Sequence, residues 1–107
     1  MKIFDLYGIK SKKIKQLAID LEGFLNIQWE LHHSSFIGEY YLFKGVGKEK
    51  MTLEPNYNEE YGWREAEFTE YRTLLYVSYS NRYKEIEDIL LNRPSLRAKL
   101  LKRTIVS

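Results

Sequence analysis

Cysteine is absent from the 107 residues. That excludes a disulfide framework, a thiol nucleophile and a cysteine metal site, and it fits a reducing cytoplasm as the expected location. Histidine is nearly absent: the two present, His32 and His33, are neighbours, and on a strand they would face opposite sides of the sheet. They cannot jointly bind a metal or act as an acid and base pair. The stretch GVGK at 45–48 lacks the GK[ST] and the following helix of a phosphate loop, so it reads as a turn. The glutamates at 59, 60, 65 and 67 lack the Asp/Asn periodicity and central glycine of a calcium loop. No apolar run is long enough to span a membrane, and the opening MKIFDLYGIK, with an early Asp5 and a short apolar run, is not expected to act as a signal peptide. No repeat, low-complexity tract or linker interrupts the chain, so residues 1–107 are expected to form one domain without catalytic residues, metal or cofactor.

The chain is rich in aromatic residues, including nine tyrosines, and its charge is uneven. Between residues 54 and 71 six glutamates face a single arginine, giving a net charge of −5 within a chain of net charge +2. Tyr57, Tyr61, Trp63, Phe68 and Tyr71 are interleaved with these carboxylates. Disordered segments are poor in aromatics, and a long ordered loop commonly binds something. Residues 72–107 carry the compensating positive charge, with Arg93, Arg97, Lys99, Lys102 and Arg103 placed as on a solvated helix end and edge strand.

Alternation of Ile3, Asp5 and Tyr7 with Phe4, Leu6 and Gly8 predicts a first strand over residues 2–9. Ser11 can cap a helix running from Lys12 to about Asn26, whose Ile14, Leu17, Ala18, Leu21, Phe24 and Leu25 share one face. Lys12, Lys13 and Lys15 oppose its macrodipole. Ile27, Trp29 and Leu31 then predict a strand starting directly after the helix, with a hairpin connection at His33–Ser35 and a strand over residues 36–44. Residues 49–54 return as a third strand of a meander, with Met51 and Leu53 on one side. TLLYVSYS at 73–80 reads as a central strand, Ser80 or Asn81 as a cap, and Ile86, Ile89 and Leu90 as the stripe of a second helix ended by Asn92 and Pro94. A last strand is expected at about 101–106. The order β-α-β-β-β-loop-β-α-β implies an α+β fold, a mainly antiparallel sheet of five to six strands with two helices on one face.

The runs EYYLFKG, MTLEPNYN, GWREAEFTEYRTLLYVSYSNRYKEIEDILL and LLKRTIV resemble small bacterial immunity proteins that accompany polymorphic toxins, including those of contact-dependent growth inhibition. The likeness covers residues 38–106 and rests on the Leu53, Pro55, Asn56 turn, the Trp63 to Phe68 segment, and Tyr71 to Tyr76 leading into a helix. It implies a cytoplasmic inhibitor that masks the active site of one cognate toxin domain, a basic nuclease, in a tight heterodimer. It implies no direct nucleic-acid contact and no membrane contact, and leaves homodimerisation open. Immunity proteins against such toxins tend to be acidic, whereas this chain departs with a mildly basic balance, so the acidity must be local. On that reading Glu54, Tyr57, Glu59, Glu60, Tyr61, Trp63, Glu65, Glu67 and Glu70 are the expected partner-binding residues. The competing expectation is a nucleic-acid-binding or RNA-processing module that uses the basic C-terminal segment. For Trp63 and Phe68 a second possibility is a lid folded back over the sheet.

Overall fold

A computed structural model describes residues 2–10 and 13–107; the Ser11 cap and Lys12 lie outside the described residues. The elements are β1 (Lys2–Ile9), α1 (Ile14–Leu25), β2 (Glu30–Ser34), β3 (Gly38–Lys44), β4 (Lys50–Pro55), β5 (Tyr57–Asn58), β6 (Gly62–Trp63), a 3₁₀ turn at Ala66–Phe68, β7 (Thr73–Ser78), α2 (Tyr83–Leu91), a second 3₁₀ turn at Pro94–Leu96, and β8 (Ala98–Val106). Six strands form one antiparallel sheet in the order β2-β3-β4-β7-β1-β8, and β5 and β6 pair separately. The fold is α+β, as the pattern of periods implies.

Strand pleat decides where the core lies. Tyr7 and Ile9 on β1 stand beside Leu75 and Thr73 on β7, which stand beside Leu53 and Pro55 on β4. These side chains share a face, and that face meets Leu17, Leu21 and Leu25 of α1 and Ile86 and Leu90 of α2 in one cluster. Both helices therefore cover the same side of the sheet. Each fully buried leucine there contributes about 2 kcal/mol by leaving water.

Several expected boundaries move; the last strand, expected from about 101, already begins at Ala98. The Asn26 backbone enters the left-handed region and closes α1, and the Trp29 N–H then donates to the Glu22 carboxylate at 2.9 Å while its indole N–H donates to Ala18 O at 3.1 Å. Residues 27–29 are thereby tied to the helix, and β2 starts only at Glu30. The hairpin connection also shifts: His33 and Ser34 pair with Glu39 and Gly38, so the turn is residues 35–37 with Phe36 at its tip. Ser34 Oγ accepts the Phe36 N–H at 3.2 Å, a serine turn that holds the aromatic ring out of the sheet. Neither proposed cap binds as such: Arg82 is the N-cap of α2, and Ser80 Oγ accepts the Arg82 N–H at 3.3 Å while donating to Glu49 at 2.5 Å.

The other face of the sheet is closed by the acidic segment. The Tyr71 ring lies against Gly8 of β1, where an added Cβ would run into it, and Leu6, Gly8 and Leu74 of this face are buried. Gly8→Ala should thus cost about 1–3 kcal/mol, because a rigid ring on a packed sheet cannot shift without strain; an unchanged urea midpoint would show that Tyr71 does not press there.

Candidate functional site

The segment from 56 to 72 is built around one side chain. Asn56 is fully buried, its amide N–H groups donate to Phe68 O at 3.1 Å and Tyr71 O at 2.8 Å, and its Oδ1 accepts the Glu65 N–H at 2.8 Å. Its backbone N–H donates to Arg72 O and its carbonyl accepts the Arg64 N–H, both at 2.8 Å. One asparagine supplies the hydrogen bonds that a structureless loop would leave to water. Within this frame β5 and β6 form a small hairpin, Tyr57 opposite Trp63, with Asn58 Oδ1 accepting the N–H groups of Glu60 and Tyr61 at 2.8 and 3.1 Å. Gly62, at φ 78°, makes the left-handed residue that such a short hairpin requires.

The nine expected partner-binding residues do not form one surface. Glu54 is the clear correction: it belongs to β4, is only 2% exposed, and its carboxylate is ion-paired with the Arg64 side chain beneath the segment. Alternation with Met51 and Leu53 places it on the expected side of the sheet, but that side is covered. Burial pushes its carboxyl above the usual range, and the Arg64 charge offsets part of that effect. Glu65 is half-buried and accepts the Tyr76 phenol at 2.5 Å. Burial, followed by this bond, pushes the Tyr76 phenol upward. Glu54, Arg64, Glu65 and Tyr76, with the Arg64 guanidinium 5.2 Å from the Tyr76 ring centre, fasten the segment to the sheet.

The remaining residues face outward. Glu59, Glu60 and Glu67 are exposed and make no ion pair among the described residues, while Glu70 lies 3.7 Å from Lys10. Tyr57 and Trp63 meet edge to face at 5.0 Å, with Trp63 half-buried in the hairpin. Of the two lid candidates, Phe68 lies under Lys102 of β8, 5.8 Å from its ring centre. Trp63 instead lines a shallow cavity of about 170 Å³ with Ile37, Asn56 and Tyr61.

The residue that sequence reasoning missed is Phe36. It is 66% exposed at the tip of the β2–β3 turn, and its ring lies 5.0 Å from that of Tyr61, itself 55% exposed. Two distant turns thus present a joint aromatic patch, edged by Glu59 and Glu60. The signal was present in Ser34, Ser35 and Gly38, whose turn chemistry takes Phe36 out of the strand, with Gly38 at φ 83°.

The basic segment is partly committed within the fold. Arg103 pairs with Asp5 through two bonds of 2.8 and 2.9 Å and with Glu87 at 2.7 Å. Lys102 lies over Phe68. His32 stacks on Tyr40 at 5.6 Å, and His33 is exposed on the opposite side of β2. Among the described residues no three His, Asp or Glu side chains gather where they could hold a metal ion. Compared with models of known families and with curated proteins, the chain finds no match in either.

Proposed function

We propose that this is a non-catalytic binding protein of the immunity type, which holds a basic toxin domain through the patch formed by Phe36, Tyr57, Tyr61 and Trp63 and the carboxylates of Glu59, Glu60 and Glu67. The observation that carries the reading is the Phe36–Tyr61 contact, which places two large, exposed rings side by side, Tyr61 on the segment that Asn56 holds and Phe36 on the β2–β3 turn. Rigid aromatic anchors beside unpaired charge suit a partner that needs both apolar area and electrostatic guidance. A toxin that handles phosphates carries a positive cleft, so local carboxylates speed the encounter even though the whole chain is +2. The nucleic-acid reading is less favoured because Arg103 is engaged by Asp5 and Glu87.

The test begins with the neighbouring gene. A large secreted protein encoded there should end in a small domain that kills cells lacking this chain and spares cells producing it. Reversing Glu59, Glu60 and Glu67 to lysine should leave the melting temperature unchanged and slow association with that domain about tenfold or more, with a smaller loss at high salt. Glu65 is left intact because it holds Tyr76. An unchanged association rate would remove these carboxylates from the interface. Nucleic acid degraded by the purified protein, and no longer degraded after His32→Ala or His33→Ala, would replace this reading with RNA processing.

A further inference from the structure

The two edges of the sheet are unlike. The β8 edge carries Lys99, Lys102 and Arg103 and has a register break opposite Leu6 and Tyr7, features that discourage another strand from pairing. The β2 edge, sequence ELHHS, has neither lysine nor proline nor a break in its ladder with β3. Beside it the helix side of the molecule exposes Ile19 (63%) and Leu31 (56%), which line a groove of about 290 Å³ with Trp29 and Tyr41. Apolar exposure therefore coincides with the unguarded edge.

We infer that β2 is a pairing edge for a second copy of this chain. The strand is complementary to itself in one antiparallel register. With a two-fold axis at Leu31, perpendicular to the sheet, Leu31 faces Leu31 of the second copy and Glu30 faces His32 of the second copy, twice over. Glu30 already lies 3.8 Å from His32 within one chain, so the pairing gives each carboxylate a second imidazole partner. Such an axis keeps the helices of both copies on the same side, so the two Ile19–Leu31 patches merge and each groove receives the other copy's leucine. The six strands of each copy then run into one continuous sheet. This inference does not depend on the proposed function, because it rests on the β2 edge, Ile19 and Leu31, and the proposed patch uses none of them.

The absence of cysteine makes the register measurable. Wild-type protein in sedimentation equilibrium should shift from 12.9 kDa toward twice that mass as concentration rises. Leu31→Lys should remain at the monomer mass and, at concentrations where the wild type is also monomeric, melt at the same temperature, since Leu31 is exposed. Under mild oxidation Leu31→Cys should cross-link to itself, the two positions being opposite, whereas Ser34→Cys should not, its positions being about 20 Å apart. A wild-type mass fixed at 12.9 kDa over the whole range, a Leu31→Lys variant that still dimerises, or cross-linking of Ser34→Cys equal to that of Leu31→Cys would each overturn the inference.

Discussion

Arg103→Ala is expected to lower the stability of the domain by about 3–5 kcal/mol, a large fraction of what a chain of this size has. The Asp5 side chain is completely shielded from water, and its two oxygens are each met by an Arg103 nitrogen, at 2.8 and 2.9 Å. The same guanidinium reaches Glu87 of α2 at 2.7 Å and lies 5.0 Å from the Tyr83 ring centre. Removing it leaves a buried carboxylate without a counter-charge and unties α2 from β8. Tyr7 lies against this group, and burial, then the Asp5 charge, pushes its phenol upward. Arg103→Lys should recover little, because an ammonium cannot present a planar fork to Asp5. The paired change Arg103→Met with Asp5→Asn should cost clearly less than Arg103→Ala. A urea midpoint for Arg103→Ala within error of the wild type, with the same slope, would show that the network contributes nothing.

Asn56→Ala is the second large effect, expected at about 3 kcal/mol or more. Two carbonyls, of Phe68 and Tyr71, and the Glu65 N–H each lose a partner, and each such group costs about 1–3 kcal/mol when it stays shielded from water. The signature distinguishes this change from a core cavity. Amide exchange should accelerate first over residues 57–71, while the ladder between β1 and β7 keeps its protection. Uniform acceleration across both regions would mean that Asn56 supports the sheet itself and not its cover. Because Tyr57, Tyr61 and Trp63 are carried on this frame, Asn56→Ala should also weaken binding of the proposed partner without touching an exposed residue.

Period and turn chemistry made most of the fold legible. The β1 strand, the apolar face of α1, the β2-β3-β4 meander and the central position of β7 follow from alternation and helical spacing. What escaped was set by contacts between residues far apart in sequence. Glu54 reads as an outward carboxylate because Met51 and Leu53 point inward, and only the distant Arg64 turns that outward face into an interior. Residues 27–29 alternate like a strand, yet Glu22 and Ala18 capture Trp29. For the candidate site, the hairpin aromatics were visible as a cluster, whereas Phe36 joined them only once β2 was seen to run through Ser34.

The position of β1 between β7 and β8 has a consequence for how the chain assembles. The meander joins neighbours in sequence and closes short loops, whereas β1 pairs Phe4 with Ser78 and Lys2 with Val106. Its partners are made after the whole meander, so on a ribosome Ile3, Leu6, Tyr7 and Ile9 have no sheet to join until β7 and β8 have emerged. The entropy of closing that long loop falls on the late step, which makes docking of β1 the expected bottleneck of folding. Until it docks, an apolar strand stands open at the amino end, and the time it spends there sets how readily newly made chains stick to one another.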